Sequence, residues 1–239
     1  MEKDFLIKTK WTKKDIPQFL SFLSLFSKGE EKGMWEQRIV NTALPCIAVP
    51  SDKVKEITNT IAKGNFLSFV DLWIWDNHTT TVITGGLICK IKDFELQKKY
   101  LETYSKKVDN WASIDCLKFK FTTDNTPLFF EFAKTLLKNE YEFCRRLGII
   151  ILLKLCGDKN LIDQILKLLP TLYNEEKYYV NMATAWLVAE CFTKHKDKTK
   201  PVFEKAILNK FANNKAISKC RDSFRVTKED KEWLIKYRK

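Results

Sequence analysis

Apolar residues recur at helical spacing along almost the whole chain, and the runs are separated by helix-end signals rather than by hairpin turns. "DIPQFLSFLSLF" opens with closely spaced Ile, Phe and Leu. "PSDKVKEITNTIAKGN" begins on Pro-Ser-Asp and stops at Gly64-Asn65. In "DFELQKKYLETYSKK" Asp93 is a cap candidate, and Phe94, Tyr100, Leu101 and Tyr104 share helical spacing. Helices are then predicted over 126–138, 141–156, 160–170, 177–194, 200–208, 214–224 and 227–239. "GIIILL" (148–153) has the composition of a buried strand, but its flanks extend it to helix length, so a fully buried helix is expected. Seven glycines, six prolines and no Asn-Gly or Asp-Gly pair leave little room for a sheet.

Successive helices with short connections predict antiparallel neighbours. Many such pairs without an obvious second core predict an all-α fold, an α-solenoid of HEAT-like repeats with a concave face. The polar loop at 122–126 is too short for a linker, so 1–239 is expected to form a single domain.

One predicted helix carries an anomaly. In "KVDNWASIDCLKF" (107–119) Trp111 and Asp115 stand four residues apart, on one face, beside Ile114, Leu117 and Phe119. Arg146 lies in a helix otherwise filled with Ile and Leu, and Trp186 stands among small residues in "MATAWLVAE". Trp111, Arg146 and Trp186 are spaced at about one repeat, so stacked repeats would bring all four residues to one groove. Each has a plainer reading: tryptophan as core, Asp115 as a cap or a lysine partner, Arg146 as a satisfied structural arginine. Their coincidence carries the argument.

Charge alters this reading next. The formal net charge is +12, and residues 194–239 hold 15 Lys/Arg against 6 Asp/Glu, so the excess is concentrated at one end. A basic surface favours a polyanion, nucleic acid first. Cysteine changes it less. Seven scattered cysteines with no C-x-x-C pair predict reduced thiols, not a disulfide framework. With His78 and His195 the only histidines and no local Cys/His cluster, neither a metal nor another cofactor is expected. Asn77-His78-Thr79 matches a glycosylation sequon, but no signal peptide precedes it, and no apolar run reaches membrane-span length.

The chemistry open to this set is narrow. There is no Ser-His-Asp arrangement and no Gly-rich phosphate loop. A carboxylate between aromatic faces stabilises a cation, as in the oxocarbenium-like transition state of glycoside hydrolysis. A nucleobase that is already cationic leaves without a strong general acid. The set fits hydrolysis of a cationic N-glycoside in DNA.

Five blocks in order resemble the AlkD-like DNA alkylation-repair glycosylases, a family built from HEAT-like repeats: "IAVPSDKVKEITNTIAKGN", "VDNWASIDCL", "YEFCRRLGIIILL", "KYYVNMATAWLVAECF" and "NKAISKCRDSFRVTKEDKEWL". The resemblance implies that Asp115 is the catalytic acid that stabilises the sugar cation and helps position water. It implies that Trp111 and Trp186 contact the damaged nucleotide's deoxyribose and that Arg146 contacts backbone phosphate. Arg145, Lys55, Lys215, Lys219, Arg221 and Arg225 join Arg146 as DNA-binding candidates, in a basic groove. The implied activity is excision of N3- and N7-alkylated purines from double-stranded DNA, leaving an abasic site. A monomer is expected, with no membrane partner, in the cytoplasm of a bacterial cell at the nucleoid. Lys55 replaces the family's usual arginine and Ile47 stands near its usual glycine, both in the N-terminal half. Two rival functions are a non-catalytic HEAT-like protein that recognises damaged or branched DNA, and an adaptor for an acidic peptide. Asp115 separates the first reading from both, because an anion in a groove built for anions is a cost unless it does chemistry.

Overall fold

Helices account for the regular structure: residues 4–239, those described by the computed structural model, contain no strand. None of these helices is long and apolar enough to cross a membrane. Packing divides the chain into one unit that ends at Phe121 and a second, Thr122–Lys239.

The first unit holds α1 (Ile16–Ser24), α2 (Glu30–Val40), α3 (Ser51–Ile61), α4 (Phe66–Val70), α5 (His78–Ile88), α6 (Phe94–Lys107) and α7 (Trp111–Asp115). Its hub is α5, which packs on α3, α4, α6 and α7. The sequence pattern does not announce α5. "HTTTVITGGLI" is rich in β-branched residues and contains two glycines, all poor helix formers. Tertiary burial overrides propensity here, since only Val82 and Gly86 of α5 are not fully buried. Asn77 starts the helix: its side chain accepts from the Thr80 amide at 3.0 Å, and the Thr80 hydroxyl donates back to the Asn77 carbonyl at 2.7 Å. The apparent sequon therefore begins with a buried helix cap. Gly85 allows a close approach, for a β-carbon there would lie 2.7 Å from the Tyr104 hydroxyl.

The expected helix over 107–119 is broken. Asn110 is fully buried and its side chain accepts from the Ser113 amide at 2.9 Å, which starts a new helix at Trp111. That helix ends after five residues, and Leu117–Phe121 run on without helix. The other predicted helices are present with small boundary shifts, the largest being that of the helix expected over 200–208, which forms over Lys196–Glu204.

The second unit holds α8 (Thr126–Leu136), α9 (Glu142–Leu155), α10 (Ile162–Leu168), α11 (Tyr178–Lys194), α12 (Lys196–Glu204), α13 (Lys210–Asp222) and α14 (Lys228–Ile235). Here α11 is central, packed on α9, α12 and α13. The "GIIILL" run is the buried body of α9, as its flanks predict. Gly148 brings α9 against α8: a β-carbon would sit 2.9 Å from the Ala133 carbonyl oxygen. Burying an Ile or Leu side chain from this run stabilises the fold by roughly 1.5–3 kcal/mol. All seven cysteines are free thiols, and Cys144, Cys156, Cys191 and Cys220 are buried.

Candidate functional site

In the first unit Trp111 and Asp115 occupy the two ends of α7, both half-buried. The Trp111 indole Nε1 donates to the Ile39 carbonyl at 3.3 Å, which fixes the ring. Asn110 does the capping, and Asp115 lies at the opposite end of the helix, where a carboxylate gains nothing from the backbone dipole.

Three contacts fasten this short helix. Tyr104 is fully buried on α6, and its hydroxyl donates to the Thr81 carbonyl at 3.1 Å and to the Ser113 carbonyl at 3.3 Å. Burial pushes the Tyr104 hydroxyl up from its ordinary pKa, so it stays protonated as a donor. The Thr81 and Ser113 hydroxyls meet at 3.3 Å. Asp109, just before the cap, accepts from the Thr42 hydroxyl at 2.7 and 2.9 Å and from the Ala43 amide at 2.7 Å. Burial pushes the Asp109 carboxyl up, but hydrogen bonds from Asn110, Thr42 and Ala43 outweigh it and hold the group below the usual carboxylate range. In the Asp109-Asn110-Trp111 run the first two residues therefore hold the segment, and Trp111 stands one helical turn before Asp115. Lys55, on α3, is exposed.

The same unit holds a cluster the linear spacing does not reveal. Nδ1 of His78, at the start of α5, lies 2.9 Å from Oε1 of Glu36 on α2. The Cys46 thiol joins them, with one ligand atom from each residue within 4.8 Å of the others. Burial, then the negative charges of Glu36 and Asp109, push the Cys46 thiol up to about 12.

In the second unit Trp186 projects from the middle of α11, 36% exposed, with Ala183, Thr184 and Ala185 buried beneath it. The ammonium of Lys219, on α13, stands 5.9 Å from the Trp186 ring centroid, and that of Lys215 stands 5.8 Å from Phe211. Phe211 in turn meets Tyr178 edge-on at 5.7 Å, and both are exposed. Cations and aromatic faces thus alternate along α13 and the facing turns of α11. Arg221 is exposed at the far end of α13.

The remaining arginines already bind protein groups. Arg145 makes a two-point ion pair with Glu175, at 2.7 and 3.1 Å, and donates to the carbonyls of Asn139 and Glu140. Arg146 is 4% exposed and donates to the Tyr179 carbonyl in the first turn of α11. Arg225 pairs with Glu190, one turn beyond Trp186 on α11. The sequence marks these arginines by type and place. Glu175, Tyr179 and Glu190, 30 or more residues from the arginines they hold, carry no sequence signal.

A family model described as "DNA alkylation repair enzyme" matches residues 26–220, a span that includes Trp111, Asp115, Arg146 and Trp186. The chain belongs to the DNA alkylation repair enzyme family. No curated protein and no solved structure matches it. Membership gives this chain a DNA repair role, with DNA as its partner, and is the family that the five sequence blocks resemble.

Proposed function

We propose that the protein is a DNA glycosylase that hydrolyses the N-glycosidic bond of N3- and N7-alkylated purines in duplex DNA. The observation that carries this reading is Asp115, a half-buried carboxylate beside the fixed indole of Trp111, on a helix capped by another residue. As the bond to a cationic purine lengthens, positive charge moves from the base to C1′ of the deoxyribose. The Asp115 carboxylate stabilises that charge and orients the water that attacks it, and the base departs neutral. Trp111 and Trp186 contact the sugar with their ring faces, which favour a developing cation. Stabilisation of charge that exists only in the transition state accelerates the reaction without tightening ground-state binding.

In this reading the HEAT-like repeats of residues 1–239 form one DNA-binding domain with a basic groove. Lys55, Lys215, Lys219 and Arg221 meet backbone phosphates. Arg145, Arg146 and Arg225 belong to the same basic set, but each also holds a protein group, so removing them costs stability as well as affinity. A second reading, non-catalytic recognition of damaged or branched DNA, draws on the cation-aromatic pairs Lys219–Trp186 and Lys215–Phe211, which bind nucleic acid whether or not chemistry follows.

The experiment is base release from methylated duplex DNA by the native chain and by Asp115→Asn, which keeps shape and removes charge. The expected result is release by the native chain alone, with equal, salt-sensitive duplex binding by both. Release at the native rate by the variant would remove Asp115 from the mechanism. Binding without release by either would establish the second reading.

A further inference from the structure

We propose that Glu36, Cys46 and His78 form a binding site for a Zn2+-class dication. This site lies within the first unit, is separate from Trp111 and Asp115, and does not depend on the glycosylase reading.

The residue types come first. Thiolate, imidazole and carboxylate together make a mixed donor set that suits zinc, and alkaline-earth cations prefer oxygen donors alone. Geometry comes second. The three ligand atoms lie within 4.8 Å of one another, and His78 Nδ1 is 2.9 Å from Glu36 Oε1. Zinc bonds of about 2.0–2.3 Å place tetrahedral ligands roughly 3.3–3.6 Å apart. The set closes around an ion through side-chain movements of about 1 Å, with the metal replacing the proton between Nδ1 and Oε1.

The surrounding backbone holds each ligand in place. The Glu36 Oε2 atom accepts from the Ala48 amide at 3.0 Å, which fixes the carboxylate plane. Ala48 adopts a left-handed φ of 49°, a conformation an alanine pays for, and this turns its amide toward Glu36. The His78 amide donates to the Pro45 carbonyl at 2.9 Å, so the residue before Cys46 is tied to the start of α5. Gly33 lets the loop lie against α2, because a β-carbon there would stand 2.1 Å from the Cys46 carbonyl oxygen.

An independent observation concerns the other face of the imidazole. His78 is 5% exposed, and its Nε2 is buried with no hydrogen-bond partner. A buried polar atom in that state signals a missing partner. His78 and Glu36 both line a cavity of about 430 Å3, which also reaches Cys89, Cys116 and Thr58. Metal on Nδ1 requires the imidazole tautomer that carries its one proton on Nε2, and water from the cavity supplies the fourth ligand. The cations that line the cavity, Lys55, Lys90 and Lys118, are exposed, so water screens them.

The test is Co2+ titration of the full chain after chelator treatment. Expected are visible ligand-field bands of tetrahedral intensity together with a near-ultraviolet thiolate-to-metal band, both bleached by Zn2+. Cys46→Ser should lose the thiolate band and His78→Gln both bands, whereas Cys89→Ser and Cys116→Ser keep both. Zn2+ should raise the melting temperature of the native chain and leave that of Glu36→Gln unchanged. Glu36→Gln preserves side-chain shape, and far-UV circular dichroism confirms that each variant is folded. No Co2+ spectrum, a thiolate band that survives Cys46→Ser, or equal Zn2+ stabilisation of Glu36→Gln would each overturn the proposal.

Discussion

The hydroxyl of Tyr104 is one of the contacts that hold α7, the helix that carries Asp115. It is fully buried and divides one proton between the carbonyls of Thr81 on α5 and Ser113 on α7. Tyr104→Phe removes that donor and keeps the ring, including its edge contact with Trp75 at 5.7 Å. One net hydrogen bond contributes about 0.5–1.5 kcal/mol, and acceptors left without a donor in a dry site add to the loss. The expected destabilisation is about 1–2 kcal/mol. In urea, with m of about 2 kcal/mol/M, that moves the midpoint down by roughly 0.5–1 M with m unchanged. Because the lost bond fastens α7, base release should fall with it while duplex affinity holds. An unchanged midpoint would show that the hydroxyl does not anchor α7. A loss above about 4 kcal/mol would point to collapse of ring packing instead.

Two further outcomes follow from other contacts. Arg145→Ala should destabilise the second unit by about 2–4 kcal/mol, because it leaves the Glu175 carboxylate, only 9% exposed, without its counter-charge and with only the Glu176 and Lys177 amides as donors. The double variant with Glu175→Ala should recover part of that loss, and a single variant within 0.5 kcal/mol of native would show the pair to be idle. The Asp109 carboxyl titrates lower in the folded chain than its ordinary value of about 3.9, so its contribution is fully present above that value and disappears as pH falls through the folded pKa. Thr42→Val, which removes one of its donors, should flatten urea midpoints plotted against pH below about 4, and parallel plots would refute the assignment.

What the sequence reveals depends on where the determining contact lies. The buried body of α9 is legible because its apolar run and flanks reach helix length within one segment. Trp111 and Asp115 are legible as a pair for the same local reason, even though the helix that joins them has only five residues rather than thirteen positions of continuous pattern. The break before that pair is also written locally, in the Asn110 cap, but the apolar spacing on either side of it masks the stop. By contrast α5 is nearly invisible. Its threonines and glycines disfavour a helix in isolation, and only α3, α4, α6 and α7 closing around it supply the burial that decides the matter.

The same distinction governs the chemistry. A search along the chain for zinc-like spacing finds nothing, because Glu36, Cys46 and His78 come from a helix, a loop and the start of another helix. They meet because α5, the element least legible in the sequence, is the one that carries His78 inward. Likewise nothing near Arg145 in sequence tells that Glu175 neutralises it, whereas Lys215 and Lys219 remain available at the surface beside Phe211 and Trp186. Type and spacing identify which side chains could serve a damaged DNA strand. Only the fold separates cations held by the protein from those left at its surface. For that reason Lys219→Ala should lower duplex affinity and reduce the salt slope by about one with the fold intact, and a variant that instead unfolds would place Lys219 among the structural cations.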